Sequence, residues 1–341
     1  LVCKTFHSHF RPFAFRTIHL LDWIFRRPDI PQRFAALLLQ KPSIGPYIRT
    51  LKFSLEGPRE QWEHAFETIA ARVPNLRELR LATDFKEESW TTTSEVLQRG
   101  LKSIFACPML RSVELRGTIV CTVPHSLILS LPSLTTLTVA PYEGGGAGKV
   151  RDLTYWASAD AEYLGSQVWQ DEDSGSNTAS PCQELRYHPE RGDDFDWFIH
   201  LTSLGPSHFD FSHLTTLSLR SITSTSLKPI QKVLSTTCPH LKILVLYFCD
   251  CKSPHRPIYP YLPGLILTDT PTLNLKDDAF LDLSQNTSLQ RLALAFNTPV
   301  YDSTTHAGGA IPQIPLNIPS LINCLSHISA PTSLTSLDLS F

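Results

Sequence analysis

The sequence lacks the features that would place the chain in a membrane or on a nucleic acid. It has no run of about 18 or more apolar residues, the length that a membrane-spanning helix needs. It also lacks an excess of basic residues, since 30 Lys and Arg oppose 32 Asp and Glu and the formal net charge is −2. We therefore expect neither a membrane nor a nucleic acid as partner, because a basic field is the usual mark of nucleic-acid binding.

The sequence shows no sign of secretion. Residues 1–13, LVCKTFHSHFRPF, include Lys4, two histidines and Arg11, so they lack the apolar core of a signal peptide. We therefore expect a cytoplasmic and/or nuclear location. The triplet Asn286-Thr287-Ser288 matches a glycosylation acceptor by its letters, but the match carries weight only in a secreted chain.

Paired cysteine motifs are absent as well. The eight cysteines are scattered without a C-x-x-C pair, which favours buried reduced thiols over disulfides. Cys249, Cys251 and His255 lie close in sequence, but a structural zinc site needs four ligands. We therefore expect no bound metal.

Catalytic motifs are also missing. There is no H-E-x-x-H and no G-x-S-x-G. The glycine-rich segment 141–150, PYEGGGAGKV, is not a P-loop, because Glu143 stands where the first glycine belongs and Val150 replaces the Ser or Thr. Residues 191–198, RGDDFDWF, are better explained as an acidic loop entering a helix than as paired acid–base catalysts. We expect no enzyme activity, no catalytic residue and no cofactor.

The sequence does contain a recurring segment of the form LxxLxL. VPNLRELRLA at 73–82 returns as LPSLTTLTVA at 131–140 and as CPHLKILVLYF at 238–248. The middle apolar position of each copy falls at Ile18, Leu51, Leu79, Val113, Leu137, Leu185, Leu217, Leu244, Leu265, Leu292 and Leu337. Most spacings lie near the leucine-rich repeat period of about 20–29 residues, with insertions between some copies.

The motif predicts a short strand with one buried face. In LxL the two apolar side chains point to one face and the residue between them points to the other. One such strand cannot bury its apolar face alone, so stacked copies must share a core. Helical spacing of apolar residues predicts helices over 59–73, 94–106 and 225–237. We therefore predict an α/β leucine-rich repeat solenoid, a horseshoe with parallel strands on the concave face and helices on the convex face.

A doubly wound α/β domain is the alternative fold, since it also alternates strands with helices. That fold has no reason to repeat the same letters, and its phosphate-binding turn should show a glycine fingerprint. The repeat therefore favours the solenoid.

Two segments resemble a known family. CPHLKILVLYFCDC at 238–251 follows the cysteine-containing repeat C-x-x-L-x-x-L-x-L-x-x-C, and CPMLRSVEL at 107–115 repeats its first part. LVCKTFHSHFRPFAFRTIHL at 1–20 resembles the last third of an F-box leading into the first repeat strand, and SIGPYIRTL at 43–51 resembles the segment that follows in many fungal proteins. The chain thus resembles F-box/leucine-rich repeat proteins of the fungal F-box-like type, with the first two F-box helices missing.

The resemblance divides the chain after residue 14. Residues 1–14 would be a remnant of an F-box-like helix or an N-terminal cap, with Val2, Phe6 and Phe10 as adaptor contacts or cap residues. Residues 15–341 would form the repeat domain, with insertions near 141–181 and 300–317. In this family the F-box binds the Skp-type adaptor of a cullin–RING ubiquitin ligase and the repeats capture a substrate. For this chain, adaptor binding is expected only if the full F-box is present.

The residues between the leucines form the candidate partner-binding face. The candidates are Lys52, Arg80, Glu114, Arg116, Arg186, His188, Arg220 and Tyr247. The four arginines among them could form a ladder that binds an acidic or phosphorylated partner segment. The alternative is a solvated face on which Glu78, Glu114 and Glu184 neutralise the arginines.

These observations predict a protein–protein interaction module. The resemblance implies substrate recognition for an SCF-type ubiquitin ligase through the repeat surface. A free-standing leucine-rich repeat scaffold with no ubiquitin-ligase link is the alternative. An α/β enzyme is a third class, and the sequence offers no site for it.

Overall fold

The chain divides into two compact units. The computed structural model describes residues 10–20, 29–55, 59–83, 93–117, 120, 123–124, 127–128, 131–140, 182–188, 198, 211–222, 227–249, 282–297 and 333–340. Unit 1 comprises residues 1–190 and 196–214, and unit 2 comprises residues 191–195 and 215–341. The predicted insertions at 141–181 and 300–317 lie outside the described residues, and the predicted boundary after residue 14 stays a prediction.

Unit 1 alternates strands with helices, as the repeat predicts. Its described elements are β1 (Thr17–Leu20), α1 (Ile30–Gln40), a 3-10 helix (Pro42–Tyr47), β2 (Thr50–Leu55), α2 (Arg59–Ala70), β3 (Glu78–Thr83), α3 (Glu95–Phe105), β4 (Ser112–Gly117), β5 (Thr136–Ala140), β6 (Glu184–Tyr187) and a second 3-10 helix (Phe211–His213). Successive strands pair in parallel from β1 to β6. Helices α1, α2 and α3 pack against one another in chain order.

Unit 2 continues the same plan. Its described elements are β7 (Thr216–Ile222), α4 (Leu227–Thr237), β8 (Ile243–Cys249), β9 (Arg291–Asn297) and β10 (Ser336–Ser340). These strands pair in parallel in chain order. The sequence predicts a further copy at Leu265, which lies outside the described residues.

The middle leucines of the motif stack in register, which confirms the fold class. In unit 1 the paired positions run Ile18, Leu51, Leu79, Val113, Leu137 and Leu185, and in unit 2 they run Leu217, Leu244, Leu292 and Leu337. From Leu51 to Leu292 each of these side chains is at most 2% exposed. Leu337 is 49% exposed because β10 pairs only with β9 among the described strands. The fold is an α/β leucine-rich repeat solenoid.

A repeated turn before most of the described strands fixes the register. The first apolar residue of the motif closes this turn, as when the Leu76 N–H donates to the Val73 carbonyl at 3.1 Å. The carbonyl just before most of these strands then accepts two N–H groups from the next repeat. The Arg49 carbonyl, for example, accepts from Arg77 and Glu78 at 2.8 and 3.0 Å. This ladder satisfies the turn's backbone groups and aligns the side chains of neighbouring strands in rows.

The three predicted helices are confirmed, each with ends inside the predicted range. Phe66 of α2 is fully buried, and its ring meets the Phe53 ring of β2 edge-on at 5.2 Å between centroids. Ser94 caps α3, because its Oγ accepts the Leu97 N–H at 3.1 Å. The same hydroxyl donates to the buried Glu63 carboxylate of α2 at 2.6 Å, so one side chain joins two helices.

The cysteines with described side chains are structural. Cys107, Cys182 and Cys238 are buried free thiols. Burial raises the pKa of the Cys182 thiol to about 12 and also raises the pKa of Cys107. A protonated buried thiol is a poor nucleophile. The prediction of buried reduced thiols is therefore confirmed for these three residues.

Gly117 ends β4 in a conformation that requires glycine. Its φ is 79°, and an added Cβ would collide with the Thr83 carbonyl oxygen of β3. We expect Gly117→Ala to lower the free energy of unfolding by about 2 kcal/mol, because alanine is strained at positive φ and the neighbouring backbone must move. Urea-induced unfolding followed by circular dichroism measures the change. Ser112→Ala, at the other end of the strand, is the control, and an equal loss in both variants would contradict this interpretation.

Candidate functional site

The strand positions between the buried leucines form a second face, called the open face below. In unit 1 the paired strands align these positions in three rows. The first row is Thr17, Thr50, Glu78, Ser112, Thr136 and Glu184. The second row is His19, Lys52, Arg80, Glu114, Thr138 and Arg186, and the third includes Ser54, Ala82, Arg116 and Ala140. Apart from the buried Ser54, these side chains are half-buried or exposed. The open face of unit 1 carries five of the residues that the sequence predicts for partner binding, and that role stays a prediction.

Two of the predicted arginines share one carboxylate. Arg80 Nε of β3 lies 3.5 Å from Glu114 Oε1 of β4. Arg116, which is also on β4, pairs with the same oxygen. Exposed ion pairs of this kind contribute about 0–1 kcal/mol, so they orient the side chains more than they hold the strands together. Because the one negative charge of Glu114 faces the two positive charges of Arg80 and Arg116, it neutralises these arginines only in part.

The other two acids of this face behave differently from each other. Glu184 pairs with Arg186 at 2.6 Å, so this arginine is neutralised within its own strand. Glu78 instead accepts a hydrogen bond from Thr50 Oγ1 at 3.2 Å. Thr136 Oγ1 makes the corresponding bond to Glu184 at 3.4 Å. The sequence places both threonines at positions between the leucines but does not predict their bonds to the acids of the next strand.

Lys52 and His188 complete the predicted set in unit 1. Lys52 is half-buried, and the structure gives its side chain no hydrogen bond or ion pair to any described residue. His188 directly follows β6 and is half-buried, and its N–H donates to the Val139 carbonyl at 2.8 Å. Lys52 is thus the cation of this face that has no internal carboxylate partner within the described part of the chain.

The open face of unit 2 carries apolar side chains on β8 and β9. Ile243, Val245 and Tyr247 of β8 are half-buried, as are Ala293 and Ala295 of β9. The Arg220 guanidinium of β7 lies over the Tyr247 ring, 4.7 Å from its centroid. At an exposed site such a cation–π contact contributes about 0.5–1 kcal/mol. Arg220 therefore belongs to unit 2, whereas the other three arginines of the predicted ladder belong to unit 1.

The sequence analysis missed one ion pair on the open face of unit 2. Arg291 Nε of β9 lies 2.6 Å from Asp338 Oδ2 of β10. Ser336 Oγ donates to the other oxygen of Asp338 at 3.4 Å. The signal was present, because Arg291 directly precedes Leu292 and Asp338 stands between two leucines of the last motif.

Near the start of the chain, two phenylalanine rings are exposed. The backbone is helical at residues 10–14, where Phe10 is 53% and Phe13 71% exposed. Arg11 Nη2 donates to Ser43 Oγ at 3.2 Å, which places this turn beside the first 3-10 helix. Val2 and Phe6 lie outside the described residues. The choice between adaptor contact and cap for Phe10 stays a prediction.

The described residues contain neither a metal site nor a membrane-spanning helix. Within them no group of three or more His, Cys, Asp or Glu side chains is close enough to hold a metal ion. Cys251 and His255 lie outside this part of the chain. None of the described helices has the length and apolar character needed to span a bilayer.

Comparison with known proteins yields distant structural likenesses. No protein-family model matches the sequence, and no curated protein matches it. The leucine-rich repeat-containing protein LegL7 from Legionella pneumophila is 14% identical, with a TM-score of 0.39 over 95% of this chain and 72% of LegL7. TLR13, in a complex with ssRNA13, is 15% identical, with a TM-score of 0.32 over 75% of this chain and 27% of TLR13. The assignment to the leucine-rich repeat class comes from the strand register and the buried leucines.

Proposed function

We propose that the chain is a non-enzymatic protein-binding module that selects a protein substrate for an SCF-type ubiquitin ligase. The observation that carries the binding role is the open face of unit 1, where paired parallel strands align charged and hydroxyl side chains in continuous rows. Such a face serves neither the core nor a described catalytic cluster. An extended surface of this kind is what repeat proteins use to bind other chains.

The exposed phenylalanines support the ligase part of the proposal. Phe10 and Phe13 present apolar rings on the surface of the segment that resembles the end of an F-box. A ring that only capped the core would be buried, whereas a ring that contacts an adaptor is exposed until the complex forms. The resemblance at 1–20 therefore points to a Skp-type adaptor as the second partner.

Co-purification with a Skp-type adaptor tests the ligase role. We expect the adaptor to co-purify with the chain, extended by any residues that its gene encodes before Leu1. We also expect replacement of both Phe10 and Phe13 by glutamate to reduce recovery of the adaptor about tenfold. Leu39→Glu is the matched control, because Leu39 is also exposed, at 55%, but lies on α1. If no adaptor is recovered with the extended chain, the result would favour the free-standing scaffold.

Site-directed photocrosslinking tests the binding role separately. A crosslinking amino acid at Thr138 on the open face is expected to capture a defined partner in cells of the source organism. The same group at Lys102, exposed on α3, is expected to capture none. Equal capture from both positions, or none from Thr138, would contradict a partner-binding role for the open face.

A further inference from the structure

The second row of the open face in unit 1 brings like charges together. In this row His19 of β1 pairs with Lys52 of β2, Lys52 with Arg80 of β3, and Arg80 with Glu114 of β4. Directly opposed side chains of neighbouring strands are about 5 Å apart at Cβ, and like charges in such pairs are destabilising. The Lys52–Arg80 pair therefore does not stabilise the fold.

The nearest acids do not compensate for this pair. Glu114 is divided between Arg80 and Arg116. Glu78, two residues before Arg80, accepts a hydrogen bond from Thr50 in the first row and forms no ion pair with Lys52 or Arg80. Three cations on three adjacent strands, Lys52, Arg80 and Arg116, thus have one carboxylate among them, that of Glu114, which contacts Arg80 and Arg116. This group of three cations is called the basic cluster below.

We propose that the basic cluster binds a carboxylate-rich segment of the protein partner. The inference rests on the proposed binding function and names the chemistry that the open face of unit 1 recognises. A carboxylate placed over the Lys52–Arg80 pair would receive charge-assisted hydrogen bonds from both side chains, and it would relieve their mutual repulsion. The unfavourable pairing in the free chain is then a feature of the binding site.

A protein acid fits the cluster better than a nucleic-acid backbone does. Glu78 lies in the first row beside the basic cluster, and Glu114 lies within it. Glu184 lies in the first row two strands beyond the cluster. A continuous line of phosphates crossing these strands would meet the acids as well as the cations. A peptide can place Asp or Glu over the cations and neutral residues over the acids, so spaced carboxylates match the alternation of this face.

A short synthetic peptide provides the probe. The strands from β1 to β4 cover about 14 Å at about 4.8 Å per strand, and an extended chain of about five residues spans this distance. We would titrate the full chain with a fluorescein-labelled six-residue peptide of alternating Asp and Ser, and with its Asn–Ser counterpart. We expect anisotropy to rise with the acidic peptide only, and the binding to weaken as salt is raised.

Charge variants locate the binding. We expect Lys52→Gln and Arg80→Gln each to weaken binding of the acidic peptide about tenfold, the effect of losing about 1.4 kcal/mol. Glu114→Gln should strengthen it about threefold, because the internal competitor of Arg80 and Arg116 is removed. Lys102→Gln on α3, which makes the same change in net charge as Lys52→Gln, should leave it unchanged. Lys52→Gln should also raise the melting temperature, whereas a purely structural lysine would lower it.

The results separate this inference from the proposed function. No binding of the acidic peptide at millimolar concentration, or equal binding of the Asn–Ser peptide, overturns it. So does tighter binding of a hexauridylate or of inorganic phosphate, because the cluster would then recognise phosphate. If these results accompany crosslinking from Thr138, the protein-binding function stands and only the proposed partner chemistry fails. If Thr138 gives no crosslink, the proposed function itself fails.

Discussion

Replacing Phe66 by alanine is expected to lower the free energy of unfolding by about 4 kcal/mol. Phe66 is fully buried at the point where α2 meets the strands, and its ring packs edge-on against Phe53 at an interplanar angle of 76°. Alanine would remove this aromatic contact and leave a cavity that the close packing of α2 and α3 prevents from collapsing. Urea-induced unfolding followed by far-ultraviolet circular dichroism measures the loss.

A substitution at Gly100 of α3 tests the packing of the Phe66 ring from the opposite helix. A Cβ at Gly100 would lie 2.8 Å from Cδ1 of the Phe66 ring and 3.2 Å from the Glu67 Cα. Alanine normally stabilises a helix relative to glycine by about 1 kcal/mol. In this position we expect Gly100→Ala to cost about 1–2 kcal/mol instead, because the helices must separate.

A double-mutant cycle isolates the contact between the two residues. In the Phe66→Ala background, the space left by the ring should accept the new methyl group, so Gly100→Ala should become neutral or stabilising. The expected coupling energy is about 2 kcal/mol, within the range found for residues in contact. Lys102→Ala on the exposed side of α3 is the control. Strictly additive effects of the two substitutions would show that the ring does not set the distance between the helices.

The sequence predicts the strands of this fold well because each copy of the repeat identifies the positions that pair with the neighbouring strands. Each LxL motif gives the inward positions of one strand, and the same middle positions from Leu51 to Leu185 lie opposite one another in unit 1. Helix α3 is predicted equally well, since its apolar spacing and the Ser94 cap are both local signals. Local patterns are sufficient where each repeat contacts only its neighbours.

The order of strands is harder to predict than their existence. β8 pairs directly with β9 although 48 residues separate Leu244 from Leu292. β5 and β6 are likewise neighbours although 48 residues separate Leu137 from Leu185. Whether a segment inserts as a strand depends on its packing against the preceding repeat, and a single motif does not contain that information.

The candidate site was predicted by position but not by interaction. Alternation along each strand correctly puts Arg80 and Arg116 on the open face. It does not show that both arginines share Glu114, or that Lys52 faces Arg80. These pairings depend on side-chain rotamers and on neighbours in adjacent strands. For the same reason, the sequence did not distinguish Arg220 from the other three arginines of the predicted ladder. Arg220 lies over Tyr247 in unit 2.

One position in the repeated turn is occupied by cysteine in some repeats and by asparagine in another. The turn residue three positions before the first leucine is Cys107 in one repeat, Cys238 in another and Asn286 in a third. The Cys107 thiol donates to the Val73 carbonyl at 3.6 Å, which is the equivalent position of the preceding repeat. Asn286 Nδ2 donates to the corresponding Cys238 carbonyl at 3.1 Å.

Asn286 is therefore a structural residue. Its side chain is fully buried, and Nδ2 also donates to the Leu234 carbonyl at 2.9 Å at the C-terminal end of α4. The match of Asn286-Thr287-Ser288 to a glycosylation acceptor thus falls on a side chain that the folded chain encloses. A glycan, which is bulky and needs solvent, does not fit this position.

We expect Asn286→Ala to lower the free energy of unfolding by about 3 kcal/mol. The substitution removes the side-chain donor of the Leu234 and Cys238 carbonyls, and Cys238 then keeps the weaker bond from the Leu241 N–H at 3.4 Å. Loss of a hydrogen bond to a buried group costs about 1–3 kcal/mol. Part of this loss is offset, because Asn286 Oδ1 itself has no hydrogen-bond partner among the described residues. Urea-induced unfolding followed by circular dichroism measures the change.

Cysteine at the same position should rescue much of the loss. The equivalent turn residues Cys107 and Cys238 show that the site accepts a thiol, which donates weakly and leaves no orphaned amide oxygen. We expect Asn286→Cys to cost about 1 kcal/mol, and Thr287→Ala, at an exposed neighbour, to cost less than about 0.5 kcal/mol. If Asn286→Cys were as damaging as Asn286→Ala, the two carbonyls would need both amide hydrogens, and the repeated turn would not be equivalent at this position.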